Sequence, residues 1–331
     1  MNKKIIIVIA IAIVLIAAAL LLLKFKYSRL HAQSAVTRVT LDYAYYNPVS
    51  LVLKEKKFLE EDLDKDGIKV DWVFSQGSNK SLEYLNSKSV DFGSTAGVAA
   101  FISRANGNPV KSIYVYSKPE WTALLVGKNS KITSVAELKG KKVAATRGTD
   151  PFVFLVRALS ENGLTIKDIE FVALQHADGK NALLRGDVDA WAGLDPLMAQ
   201  AEVESGAMFL YRNAGFNTYG VLNVREDYAK NHSDLVVRVL QAYEKARLWA
   251  IDNPAQFKAL VVAQAKINDA VASKVLERTD LSNSRIGEEQ KKAIGAAGDV
   301  LKKNSVIGVT VDINKTVDEL IDPRYAAEAV K

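Results

Sequence analysis

Two stretches of the chain run through the same order of features, and this repeat limits the open folds more than anything else in the sequence. NKSLEYLNSKSVDFGSTAGVAAFISRANG (residues 79–107) and GKNALLRGDVDAWAGLDPLMAQAEVESG (residues 179–206) each pass from a helix through a polar turn to Val-Asp, a short strand, a glycine and a second helix. Val90-Asp91 and Val188-Asp189 are the matching pairs. Two copies in two halves of one chain imply two related lobes. Around them the periodicity alternates throughout. RVTLDYAY, IKVDWVF, SVDFGST, VKSIYVYS and TALLVG have the short β-branched pattern of strands, and the segments PVSLVLKEKKFLEED, NKSLEYLNSK and GVAAFISRANG between them have helical spacing. From Val135 the rhythm restarts with helices around KKVAAT, IEFVAL, DVDAWAG and AMFLY, followed by YGVLNV and a helical region over residues 227–300. Such alternation predicts an α/β architecture with mainly parallel sheets covered by helices. In open sheets of this kind ligands sit at the carboxyl ends of the strands, so two lobes predict a cleft between two such edges.

A chain of 331 residues with 49% apolar and 25% charged side chains has room for two lobes and a sizeable core. It contains no cysteine, which removes disulfides, thiolate nucleophiles and cysteine-based zinc sites. Of three histidines only His176 and His232 lie beyond the N-terminal segment, so a multi-histidine metal site is not expected, and neither a metal nor a cofactor is assigned. The formal charge of +6 arises largely at one end. Residues 1–35 hold five of the 44 Lys and Arg side chains and none of the 38 Asp and Glu, leaving 39 against 38 elsewhere. A nearly neutral body is not a nucleic-acid surface.

That N-terminal segment carries an unbroken apolar run over residues 5–23, flanked by Lys3, Lys4, Lys24 and Lys26. Nineteen apolar residues just span a bilayer as a helix. The run reads either as an uncleaved N-terminal hydrophobic helix anchoring the chain to the membrane or as a signal peptide that is removed. Both readings send the body out of the cytoplasm, to the periplasm or the outer face of the membrane.

WVFSQGSNKSLEYLNSKSVDFGSTAGVAAFISRANGNPVKSIYVY, SKITSVAELKGKKVAATRGT and GDVDAWAGLDPLMAQAE, in this order, resemble the sulfonate, taurine and nitrate branch of the substrate-binding proteins of ABC importers, the NMT1/THI5-like group. The resemblance implies a two-lobed periplasmic-binding-protein type II fold with a two-strand hinge. Its first lobe would comprise residues 36–121, completed by 223–331 with the C-terminal helices, and its second lobe residues 122–222. Chain crossings are expected near residues 122–127 and 219–223. It further implies a monomer that closes on a small organic anion, an aliphatic sulfonate or taurine, and delivers it to an ABC permease and its ATPase. Open alternatives are a membrane-tethered solute sensor, a pyrimidine- or nitrate-binding relative, and an enzyme on the same fold.

Carried onto this sequence, the resemblance gives the candidate ligand-binding residues. Tyr46 and Asn47 precede the first helix, and Gln76-Gly77-Ser78 forms the turn before the second. Thr95 and Ala96 open the third, and Arg147-Gly148-Thr149-Asp150 lies where a strand ends at the mouth of a helix. Helix starts offer unpaired N–H groups and a positive dipole end, suited to an anion, but each also reads as plain capping, with Asp150 as N-cap and Pro151 as first helical residue. Trp121 and Trp191 either cover an apolar ligand tail or belong to the core. Arg147 either contacts an oxyanion or is a solvated rim side chain, and Asp195 either orders the hinge side of the cleft or meets a ligand amine. No catalytic residue is assigned. The chain lacks G-x-S-x-G, Walker A, H-E-x-x-H and G-x-G-x-x-G motifs, and related sulfinate hydrolases use a cysteine that is absent here.

Overall fold

The protein is described by a computed structural model that covers residues 36–330. The apolar run at residues 5–23 lies outside the described residues, and among those described no helix is long and apolar enough to cross a membrane. In chain order, β1 (Arg38–Tyr43), β2 (Lys69–Phe74), β3 (Phe92–Ala96) and β4 (Val110–Pro119) begin one sheet. A second sheet is formed by β5 (Thr122–Val126), β6 (Lys142–Ala145), β7 (Glu170–Ala173), β8 (Ala190–Leu194) and β9 (Met208–Tyr211). Then β10 (Gly220–Arg225) and β11 (Thr279–Asp280) complete the first. The strand orders are β11-β4-β10-β3-β1-β2 and β7-β6-β8-β5-β9.

The sheets are mixed, not mainly parallel as the alternation predicts. β1 pairs with β3, and β6 with β7 and β8, in parallel. β10 runs antiparallel to β3 and β4, and β5 antiparallel to β8 and β9. The cause is the route between sheets. β4 leaves the first sheet at the edge where its parallel strands end, and after residues 120 and 121 the chain enters the second sheet from its corresponding edge, so β5 must point backwards. The return through residues 212–219 places β10 in the same way. The stretches expected to cross, 122–127 and 219–223, fall mostly within β5 and β10, directly after the links.

Local deviations have local causes. The helix expected over residues 48–62 is split into Pro48–Lys56 and Phe58–Leu63, because Lys57 takes the left-handed conformation at φ 54°. The segment after Val135 is only a short 3₁₀ turn, Val135–Leu138, and the C-terminal helical region is interrupted by β11.

The repeated Val-Asp pairs do the same work in both sheets. Asp91 immediately precedes β3, and its carboxylate accepts from Thr40 N of β1 at 2.9 Å while its own N–H donates to Thr40 O at 2.8 Å. Asp189 immediately precedes β8, and it holds Lys142 of β6 through the same two bonds, both at 2.8 Å. Each aspartate therefore fixes the register of one parallel pair, where a slip of one residue would turn every side chain to the wrong face. In the second sheet those faces are both apolar. Val143, Ala145, Ala190 and Ala192 pack with the helix Asp150–Glu161 on one side. Ala144 and Trp191 pack with Leu183 and Met198 on the other. Period-two alternation between two covered faces gives the near-continuous apolar strands seen in the sequence.

Candidate functional site

The carboxyl ends of β1, β2, β7 and β8 converge between the two lobes around a cavity of about 250 Å³. Tyr45, Tyr46, Phe74 and Gln76 line it from the first lobe, and Gln175, His176, Asp195 and Leu197 from the second. Ala265 and Ile267, from the end of the helix Pro254–Ala265 and the turn after it, complete the wall. No lysine or arginine is among these lining residues.

A buried polar network forms the floor. Tyr46 OH donates to Ser94 O at 2.8 Å and lies 3.0 Å from Ser75 Oγ, which donates to Asp42 Oδ2 at 2.8 Å. Asp42 also accepts from Ser94 N and Ser94 Oγ, each at 2.8 Å. Burial pushes the Asp42 carboxyl up to about 6 against these stabilising bonds. Asn47 belongs to the same network: its Nδ2 donates to Ser94 Oγ at 2.7 Å, and its Oδ1 accepts from Ser50 N at 3.2 Å as the N-cap of the helix Pro48–Lys56. Tyr46 thus presents a fixed ring to the cavity, whereas both ends of the Asn47 amide are engaged beneath it.

The remaining expected residues fall into distinct places. Gly77 precedes the helix Ser78–Asn86 and faces the second lobe, where an ideal Cβ would lie 2.8 Å from His176 Nε2. Ser78 Oγ accepts from Ala96 N at 3.0 Å, and Thr95 Oγ1 donates to Ala96 O at 2.9 Å while accepting from Asn223 Nδ2 at 2.8 Å. The helix Gly97–Ala105 after Ala96 has its first amides occupied, with Gly97 N on Tyr219 O at 2.8 Å and Val98 N on Thr218 Oγ1 at 3.3 Å. Trp191 is wholly buried in the core of the second sheet, packed on Gly179, and is not among the lining residues.

The turn 147–150 departs most from its capping reading. Thr149, not Asp150, occupies the N-cap position, and its hydroxyl turns back to donate to Thr146 O at 2.6 Å. Gly148 sits at φ 72°, a left-handed geometry that glycine adopts freely. Arg147 is exposed, its guanidinium over the rings of Phe171 and Phe152 at 4.6 and 5.3 Å. Asp150 is buried and accepts from Trp121 Nε1 at 2.7 Å, Thr218 N at 3.0 Å and Thr218 Oγ1 at 3.0 Å. Burial raises its carboxyl above the usual range despite these three bonds. Trp121 and Thr218 lie on the two links between the sheets, so one carboxylate of the second lobe ties both together.

Asp195 follows β8 and lines the cavity. Its Oδ1 accepts from Ala199 N at 2.9 Å, and its Oδ2 lies 3.5 Å from Arg278 Nη1. Burial pushes this carboxyl up to about 7, with Arg278 pulling the other way. Sequence reasoning missed Gln175 and His176, which stand directly after β7 at the start of the helix His176–Arg185. The signal was present: a polar pair between a strand and a helix start, the same local pattern as residues 147–150 and at the strand edge where ligands sit. His176 is buried, and burial holds its imidazole down to about 4 and therefore neutral at pH 7.

The chain as a whole is similar to known proteins. Residues 54–257 match the family described as NMT1/THI5 like. A protein of Bacillus subtilis (strain 168) named for binding aliphatic sulfonates is 28% identical over 271 residues, which span 81% of this chain and 82% of that protein. Among solved structures, the periplasmic aliphatic sulphonate binding protein SsuA of Escherichia coli superposes with a TM-score of 0.74 at 26% identity, covering 87% of this chain and 93% of that one. The alkanesulfonate-binding protein SsuA of Xanthomonas axonopodis pv. citri, bound to MOPS, reaches a TM-score of 0.78 at 23% identity, covering 85% and 97%. With two α/β sheets joined by two links, a cleft at their facing strand ends and a family match over most of its length, the chain belongs to the NMT1/THI5-like family and has the periplasmic-binding-protein fold.

Proposed function

We propose that this protein is the extracytoplasmic solute-binding component of an ABC importer and that it captures a small organic anion, an aliphatic sulfonate or taurine, by closing its two lobes. The observation that carries the reading is the cleft itself. Helix starts at Gly77-Ser78 and Gln175-His176 face each other across it, and first-turn N–H groups are suited to a weakly basic oxyanion that needs no full cation. The adjoining apolar cavity accommodates a short organic tail. The named relative and the solved sulfonate-binding structures support the same ligand class. In this reading the permease and its ATPase are the partners, and residues 120–121 and 212–219 carry the hinge motion.

A ligand that binds only the folded state stabilises it by about 2.7 kcal/mol at about a hundred times its Kd. Taurine and short alkanesulfonates are therefore expected to raise the melting temperature of a protein beginning at Ala35. Nitrate, bicarbonate and pyrimidines serve as competitors. A shift with a pyrimidine or an inorganic anion and with no sulfonate overturns the ligand assignment.

We further propose that residues 5–23 tether the chain to the membrane, on the strength of their unbroken apolar run. Full-length protein is expected to sediment with membranes and keep its N-terminus. Mature protein recovered free of membranes and starting near Ala35 overturns the tether.

A further inference from the structure

The hydrogen bonding around His176 is not completed among the described residues. Thr146 Oγ1 has one hydrogen and donates it to Leu174 O at 2.8 Å, so at its 3.1 Å contact with His176 Nδ1 it accepts. The imidazole is neutral, and its proton therefore sits on Nδ1. Nε2 is left as a bare acceptor, buried with no hydrogen-bond partner among the described residues and turned toward Gly77 in the cleft. Asn79 Oδ1 and Gln175 Oε1, on the facing helix start and beside His176, are likewise buried without a partner. Asp195 Oδ2, on the same cavity wall, has no hydrogen bond among the described residues and forms an ion pair with Arg278 Nη1 at 3.5 Å. An amide can turn to offer either of its atoms, but the imidazole is held by Thr146 and cannot. A buried acceptor without a donor costs free energy that a fitting ligand recovers.

We infer that His176 is a specificity-determining residue of this cleft, accepting a hydrogen bond at Nε2 from an N–H or O–H group on an organic ligand whose apolar body fills the neighbouring cavity. The inference deepens the proposed anion-binding role and rests on it for the ligand's acidic end alone. A backbone-lined helix start suits the anion, Nε2 suits the donor, and Tyr45, Phe74, Leu194 and Ile267 suit the body between them. A site built to satisfy a hydrogen bond rejects the analogue that lacks the donor, because its own buried group is then left unpaired.

The test uses benzenesulfonate, 3-aminobenzenesulfonate and 3-hydroxybenzenesulfonate, with benzoate and 3-aminobenzoate as a pair lacking sulfonate, in calorimetric titrations. At least one donor-bearing sulfonate is expected to bind about tenfold or more tightly than benzenesulfonate, and the amino and hydroxy arms tell which donor is preferred. His176→Asn keeps a group where Nδ1 meets Thr146 and removes the acceptor at Nε2, so the ratio of donor-bearing to plain benzenesulfonate affinity falls to about one. His176→Gln keeps an acceptor at the Nε2 position and retains the preference. Equal binding of all three sulfonates, or a preference that survives His176→Asn, overturns the inference. If neither these sulfonates nor taurine and the alkanesulfonates bind but aminobenzoate outcompetes benzoate in a His176-dependent way, the sulfonate reading falls and the inference stands. If no probe of either pair binds, the inference falls, and the sulfonate reading is decided separately by the melting shifts with taurine and alkanesulfonates.

Discussion

Gly77→Val is expected to weaken ligand capture by roughly 100-fold, and Gly77→Ala by roughly tenfold, with both lobes remaining folded. The argument is one of geometry across the cleft. A Cβ at position 77 would lie 2.8 Å from His176 Nε2 and 3.0 Å from both His176 Cδ2 and Asn79 Oδ1. The backbone itself offers no objection, since φ at Gly77 is 172°, an extended value open to any residue. Asn79 Oδ1 belongs to the same helix start and can turn away, so the strain that remains arises from the His176 contact between the lobes, and parting them relieves it. A substitution that penalises only the closed arrangement lowers the competent fraction, and the apparent affinity falls in proportion. Overpacking costs about 1–3 kcal/mol, which converts to the stated range at about 1.4 kcal/mol per tenfold. Titration calorimetry with the ligand found by melting reads the loss, and unliganded melting temperatures within a few degrees of wild type show that the fold is intact. Undiminished affinity in Gly77→Val would mean that the lobes hold ligand without this contact.

Asp150→Ala is expected to cost about 2–4 kcal/mol of stability, the largest loss from any single polar side chain described above. Removing the carboxylate leaves Trp121 Nε1, Thr218 N and Thr218 Oγ1 without their acceptor, and Trp121 and Thr218 are 3% and 2% exposed. Each orphaned buried donor costs about 1 kcal/mol or more, and relief from burying a charge offsets part of the sum. The two links also lose their common anchor, so the loss should appear as looser coupling of the lobes as well as a lower midpoint. Urea unfolding measures the lower midpoint, and hydrogen exchange at residues 121 and 218 measures the looser coupling. A variant within 0.5 kcal/mol of wild type, roughly the spread of neutral surface changes, would show that water replaces the carboxylate at no cost.

The opening to the second lobe shows how a local signal and its tertiary use part company. Residues 146–151 announce a strand ending at a helix, and that is what forms. Nothing in the six residues says that Asp150 will turn to Trp121 and Thr218, because those partners are 29 and 68 positions away. For His176 the local pattern marked a strand end at a helix start, but whether its imidazole is satisfied in the core or open to the cleft is decided only when Thr146 and Gly77 are placed around it. Trp191 read equally well as ligand cover or as core, and only its position on the inner side of β8, against Gly179, decided the matter.

What the sequence determined by itself was everything carried by short periods and close repeats. It marked the alternation of strands and helices, the pairing of Val90-Asp91 with Val188-Asp189, the neutral body and the resemblance to sulfonate-type binding proteins, because those signals are written in neighbouring residues. The mixed strand directions, the knot of bonds on Asp150 and the unpartnered nitrogen of His176 were decided by the tertiary structure. Strand direction depends on which edge the chain enters after crossing between sheets, and a buried polar atom is satisfied or left open only by groups brought from elsewhere in the chain. Periodicity records which face a residue turns inward, and it holds no information about what waits on the other side.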